Sequence, residues 1–165
     1  MNQIAVIDLE ASGLHFDSYP IEVAVLINGK TRSWLIKPEP IWTYWCGTAQ
    51  SMHGISREEL EQNGLPVQTV AKELNEFLSE FDELLYSDAS QWDEDWVDTL
   101  YLAAKETRNF HIGSIYDRLE ADQIELFHQH KATLAESNLY QPHRAESDVR
   151  IIAEAYYRTL SAYED

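Results

Sequence analysis

Only one cysteine, Cys46, occurs in the 165 residues, so the chain can form neither an intramolecular disulfide nor a cysteine-rich zinc site. A reduced, cytoplasmic setting is the expectation. Basic residues are also scarce: 12 Lys and Arg stand against 29 Asp and Glu, for a net charge of −17. That deficit excludes a sequence-indifferent wrap around duplex nucleic acid, whose affinity comes from basic residues releasing counterions. It leaves room for a nucleic-acid enzyme whose bound cations supply the positive charge. No run of about 20 apolar residues is present, and MNQIAVIDLEASG is neither a basic signal-peptide start nor a membrane anchor, so a soluble protein without membrane contact is expected. The six glycines build no phosphate-cradling loop, and no Ser or Cys nucleophile constellation stands out, which argues against a phosphatase or nucleotide hydrolase. There is no linker tract, repeat or low-complexity block. With 44% apolar and 25% charged residues, residues 1–165 read as one globular domain.

What is present begins with Ile4-Ala5-Val6-Ile7, a short apolar run ending at Asp8, the pattern of a buried strand that delivers side chains to a cleft. Pro20 to Ile27 and Thr31 to Ile36 flank Asn28-Gly29-Lys30, a strong hairpin signal. After Pro38 and Pro40 comes an aromatic loop with Trp42, Tyr44 and Trp45. Ser56-Arg57-Glu58-Glu59 then starts a helix as a capping box. Val67 to Phe81 carries one apolar helical face, Glu83 to Ser87 reads as a core strand, and Asp93 to Ala104, Ile124 to Leu134 and Arg144 to Leu160 read as helices. Strands lead and helices follow, which predicts an α/β fold with a mixed central sheet covered by helices.

Three acidic clusters carry the candidate chemistry. Side chains alternate along a strand, so Asp8 and Glu10 project to the same side while Leu9 projects to the other. Two carboxylates so close repel unless a cation sits between them, and hard divalent ions suit such oxygen ligands. The second cluster, Asp88 to Trp96, lies at a strand end and helix start. Trp96 and Val97, one turn beyond Asp93, would anchor that turn and fix the direction of Asp93, with Asp88 as runner-up. Acids in a first helical turn also serve as ordinary dipole partners. The third is His143-Arg144-Ala145-Glu146-Ser147-Asp148, at the start of the last helix. An imidazole there has the chemistry to accept a proton near neutral pH.

IDLEASGL, the strand-end acids with DEDW, and HRAESD, in that order, resemble the three motifs of the DnaQ-like, or DEDDh, 3′–5′ exonucleases. The intermediate MHGIS resembles that family's segment between the third strand and the first helix. The resemblance implies a ribonuclease H-like fold, with a three-stranded antiparallel start to the sheet. It also implies Asp8, Glu10, Asp93 and Asp148 as metal ligands and His143 as general base. The middle motif departs from the family pattern: Asp88 stands near the position where members often carry Asn, and Trp92 directly precedes Asp93. Asp88 and Asp95 therefore stay open as alternatives to Asp93.

The implied activity is two-metal hydrolysis of phosphodiester bonds with Mg²⁺ or Mn²⁺, releasing nucleoside 5′-monophosphates from DNA and/or RNA. A polyanion approaching a chain of −17 meets repulsion, which favours single-stranded or short substrates with a free 3′ end over long duplex. Leu14 and His15-Phe16 are candidates to pack on the terminal base, Ala11 or Ser12 to touch the terminal sugar through backbone groups, and His53 is a similar candidate. Arg108, Arg144 and Arg150 offer a phosphate path, although Arg144 and Arg150 also stand where helix acids can pair with them. Trp42, Tyr44 and Trp45 offer a stacking platform, a homodimer contact or core. The rival reading is a non-catalytic DnaQ-like protein-interaction module.

Overall fold

The computed structural model describes residues 3–164. Strand β1 (Val6–Ala11) pairs antiparallel with β2 (Pro20–Ile27), and β2 pairs antiparallel with β3 (Lys30–Leu35). Asn28 and Gly29 both have positive φ, 50° and 76°. That is the backbone of the mirror-image two-residue turn whose twist matches the flanking strands, and it explains the Asn-Gly at this position. The chain continues through helices α1 (Gly47–His53), α2 (Arg57–Asn63) and α3 (Val67–Phe77), then strand β4 (Leu84–Ser87) and helix α4 (Ser90–Ala104). Strand β5 (His111–Ser114), a 3₁₀ turn, and helices α5 (Ala121–Glu136) and α6 (Ala145–Ser161) complete it.

The five strands lie in the order β3-β2-β1-β4-β5, with β4 parallel to β1 and β5 parallel to β4. This is the mixed α/β sheet of the ribonuclease H-like fold. The first strand is central and buried on both faces, as its unbroken apolar run requires. Ala5, Ile7, Leu9 and Ala11 face a core closed by α3 and α4, where Val70, Leu74, Val97 and Leu100 pack. Val6 faces a second core, closed by α5 and α6, with Phe127, Leu134, Val149 and Ile152. Asp8 and Glu10 continue the Val6 side of β1, so the alternation that fills the cores also points both acids toward α6.

Two segments differ from their sequence reading. The stretch after the aromatic loop folds as the short helix α1, ended by Gly54 with φ 71°. Strand β5 gave no signal, because HIGS has one large apolar residue and a glycine at the sheet edge. Of the expected capping box at Ser56 the N-cap half forms, its side chain accepting from the Glu59 N–H. Among the described residues no helix is long and apolar enough to cross a membrane.

Candidate active site

The parallel β1–β4 pair sends both carboxyl ends to the same edge of the sheet, where ligands bind in open α/β sheets. A cavity of about 210 Å³ opens there, lined by Asp8, Asp88, Lys131, His143 and Asp148 with apolar Ile152 behind them. A larger depression of about 590 Å³, among Tyr86, Arg118, Tyr156 and Tyr157, lies at the opposite end of β1 and contains no motif residue. Chemistry, not size, therefore selects the smaller one.

Glu10 meets His143 and Asp148, both over 130 positions further along the chain, each of the three offering a ligand atom within 4.8 Å of the others. Asp8 stands beside them, and its Oδ2 is shut off from solvent with no hydrogen-bond partner. A buried carboxylate oxygen left without a donor is costly unless a cation or a proton takes it. Desolvation accordingly pushes Asp8 well above the usual carboxylate range, and the charges of Asp93, Asp148, Asp88 and Glu10 push it the same way. Burial, together with a hydrogen bond to Asp148, raises Glu10 to about 10. Asp148 is raised mainly by burial as well. These acids, crowded and desolvated around an orphaned oxygen, fit divalent cations with oxygen ligands.

Asp93 approaches from α4, on the other side of the sheet, and is 1% exposed. The Ser87 hydroxyl donates to its Oδ2 at 2.5 Å, and the Leu9 backbone N–H donates to the same carboxylate. Its carboxylate thus serves the backbone of β1 where β4 has already ended. Burial raises it to about 8 against those two donors. Trp96 and Val97 are buried and anchor its helical turn in the core. Asp88 lies in the cleft and is ion-paired with Lys131. Asp95 is exposed and lines a different depression, between α4 and β5.

His143 has φ 63°, a left-handed backbone that a residue with a Cβ adopts at a cost. Its N–H donates to Asp148 Oδ1 at 3.1 Å, which ties the strained residue to the acid it accompanies.

Three contributors escaped the sequence reading. Glu22, 4% exposed in an otherwise apolar strand, stands directly opposite Glu10 in the β1–β2 register. Its repulsion with Glu10 is offset by Arg144, whose Nη2 donates to Glu22 Oε2 at 2.8 Å, while the Ala145 N–H donates to Oε1 at 2.7 Å. Glu22 thereby clamps the start of α6 to the sheet. An acid in the middle of PIEVAVLI was the available signal. Ser87 and Lys131 are the other two. Lys131 falls on the helical stripe of buried Phe127 and Leu134, four residues after one and three before the other, which was also legible.

The residues expected to contact substrate differ widely in exposure and pairing. Ser12 is fully buried and committed: its Oγ accepts from the Tyr19 N–H, its N–H donates to the Tyr19 carbonyl, and its carbonyl accepts from the Cys46 N–H. The adjoining Gly13 has no room for a Cβ, which would lie 2.7 Å from the Tyr44 ring. His53 is 3% exposed, and its Nδ1 accepts from the Ile55 N–H at 3.0 Å. Ala11 is buried, whereas Leu14 is 72% exposed and Phe16 more so. His15 stacks on Tyr44, with ring centroids 4.6 Å apart. The aromatic loop is not an open platform: Trp42 stacks on Tyr19 at 5.2 Å, and Trp45 donates to Gln50. The arginine path does not form, because Arg144 is held by Glu22, Arg108 by Glu94 and Asp98, and Arg150 by Glu146 and Thr31.

The whole chain superposes on solved nucleases. Its structure matches the nuclease domain of 3′hExo, a DEDDh family member bound to rAMP, with a TM-score of 0.72 and 17% identity, covering 98% of this chain and 93% of that one. The chain has the fold of a DnaQ-like 3′–5′ exonuclease. Exonuclease I from Methylocaldum szegediense matches with a TM-score of 0.73 and 16% identity, over 99% of this chain and 41% of that one. E. coli exonuclease I in complex with a dA16 oligonucleotide gives 0.74 and 14%, over 99% and 42%. The chain thus spans about two-fifths of the exonuclease I chains it matches. By sequence it matches no family model and no curated protein.

Proposed function

We propose that this chain is a metal-dependent 3′–5′ exonuclease, acting as one domain over 1–165 on single-stranded or short nucleic acid with a free 3′ end. The observation that carries the reading is the convergence of Glu10, His143 and Asp148 beside the unpartnered Asp8 oxygen. In this reading Asp8, Glu10, Asp93 and Asp148 hold two divalent cations, Mg²⁺ or Mn²⁺. Bound there, such ions supply the Lewis acidity that activates water and offsets charge on the leaving 3′ oxygen.

The chain's own residues do the rest. An imidazole nitrogen of His143 takes the proton of the attacking water, while Asp148, by accepting the His143 N–H, holds that residue at the cleft. Ser87 and Leu9 fix the direction of Asp93, and the Glu22–Arg144 clamp fixes the start of α6. The exposed Leu14 and Phe16 are the apolar surface nearest the β1 motif in sequence and are assigned to the terminal base. The neighbours bound to single-stranded oligonucleotides support this substrate class.

The test is digestion of a 5′-labelled oligonucleotide with Mn²⁺. A ladder shortening from the 3′ end with mononucleotide release is expected. Internal cuts or shortening from the 5′ end would reject the polarity, and no cleavage of either DNA or RNA would favour the non-catalytic module.

A further inference from the structure

We propose that Lys131 is the phosphate-holding residue of this cleft, exchanging its ion pair with Asp88 for a non-bridging oxygen of the nucleic-acid phosphate. The inference rests on the nuclease reading above and names the side chain that would bring the polyanion into a strongly acidic site. Among the residues lining the cavity Lys131 carries the one ammonium, facing Asp8, Asp88 and Asp148. The three arginines that might have served are each held by acids elsewhere.

Its placement is built. Lys131 lies on the inward stripe of α5 and is 27% exposed, with Nζ 5.6 Å from the centre of the Phe127 ring, so the stem is packed and the head reaches the cleft. Asp88 lies at the end of β4 and is itself only partly buried. Neither partner is tied to a backbone cap or a second ion pair among the described residues. Replacing one anionic oxygen by another at Nζ leaves the ammonium paired throughout, so the exchange avoids stranding a buried charge. The displaced Asp88 carboxylate is left at the mouth of a cavity that then also holds cations.

The experiment compares wild type with Lys131→Met, Lys131→Arg, Asp88→Asn and the double variant Lys131→Met/Asp88→Asn. Two readouts are taken: calorimetric affinity for adenosine 5′-monophosphate in Mg²⁺ buffer, and kcat and KM on a short oligonucleotide. Lys131→Met is expected to weaken the mononucleotide about tenfold and to raise KM by a similar factor. Lys131→Arg should keep most of the affinity. Asp88→Asn should tighten binding by freeing the ammonium.

The double variant decides the matter and avoids leaving Asp88 unpaired in a Lys131→Met background. If it stays as weak as Lys131→Met, the ammonium holds phosphate. If it returns to wild-type affinity, Lys131 only neutralises Asp88 and the proposal falls. Wild type failing to bind the mononucleotide also overturns it. Lys131-dependent mononucleotide binding without cleavage of any oligonucleotide would sink the nuclease reading and leave this one standing.

Discussion

The main-chain N–H of His143 donates to Oδ1 of Asp148 at 3.1 Å, across the turn that opens the last helix. One short bond thus couples the imidazole's position to an acid that also meets Glu10, and it holds His143 at a φ of 63°. The bond forms because α6 starts immediately afterwards, with Glu22 of the sheet capturing the Ala145 N–H.

Replacing His143 by Asn should lower kcat about 10²- to 10⁴-fold, the usual loss on removing a general base. Asn tolerates a left-handed backbone better than Ala does, so the loss reports chemistry instead of strain. Calorimetric Mn²⁺ titration should be nearly unchanged. Wild-type turnover in this variant would remove His143 from the mechanism.

Asp8→Asn removes the charge of the carboxylate with the orphaned oxygen while keeping its shape. Mn²⁺ affinity should drop at least about tenfold, as even loss of outer-sphere groups does at metal sites. An unaltered titration would take Asp8 out of the ligand set.

The metal-free protein should lose stability as pH rises. Asp93 and Glu10 have folded-state values of about 8 and about 10, above the 3.8 and 4.5 of free side chains. Between those limits the folded state binds more protons than the unfolded chain, so stability is greatest at the acid end of this window and falls toward its alkaline end. Thermal melts at a series of pH values should show that slope, and saturating Mg²⁺ or Mn²⁺ should flatten it. A melting temperature that rises with pH in the absence of cations would contradict the buried-acid picture.

Glu22→Gln should destabilise the fold by about 2 kcal/mol, because it leaves the Arg144 guanidinium without its anionic partner. The Arg144 side chain is itself 31% exposed to water, which limits the loss. Urea denaturation measures it. Activity should fall further than stability accounts for, since the start of α6 carries both His143 and Asp148. A midpoint equal to wild type would show that the clamp is dispensable.

Much of this arrangement was legible in one dimension. Alternation along IAVIDLE put Asp8 and Glu10 on one face, because the strand period is two wherever the strand runs. Asn28-Gly29 gave the hairpin, because few residue pairs accept two positive φ angles. Helical spacing at Trp96 and Val97 pointed to Asp93, because burying that face fixes the turn that carries it. Ser12 and His53 show what a local pattern leaves open. A polar side chain beside a motif has partners that only the folded chain reveals: Tyr19 and Cys46 return to satisfy Ser12, whereas the neighbouring Ile55 N–H satisfies only Nδ1 of His53 and leaves its buried Nε2 without a partner.

The sequence by itself determined which residues have the chemistry and which way each faces along its own element, since both depend on side-chain type and local period. Only the tertiary structure decided who meets whom. Glu22 lies opposite Glu10 because of strand register, Lys131 reaches Asp88 because α5 packs beside β4's end, and Asp148 joins Glu10 because α6 crosses the sheet. These are contacts between residues 12 to 138 positions apart, set by the balance of burial over the whole core, and no local pattern encodes them.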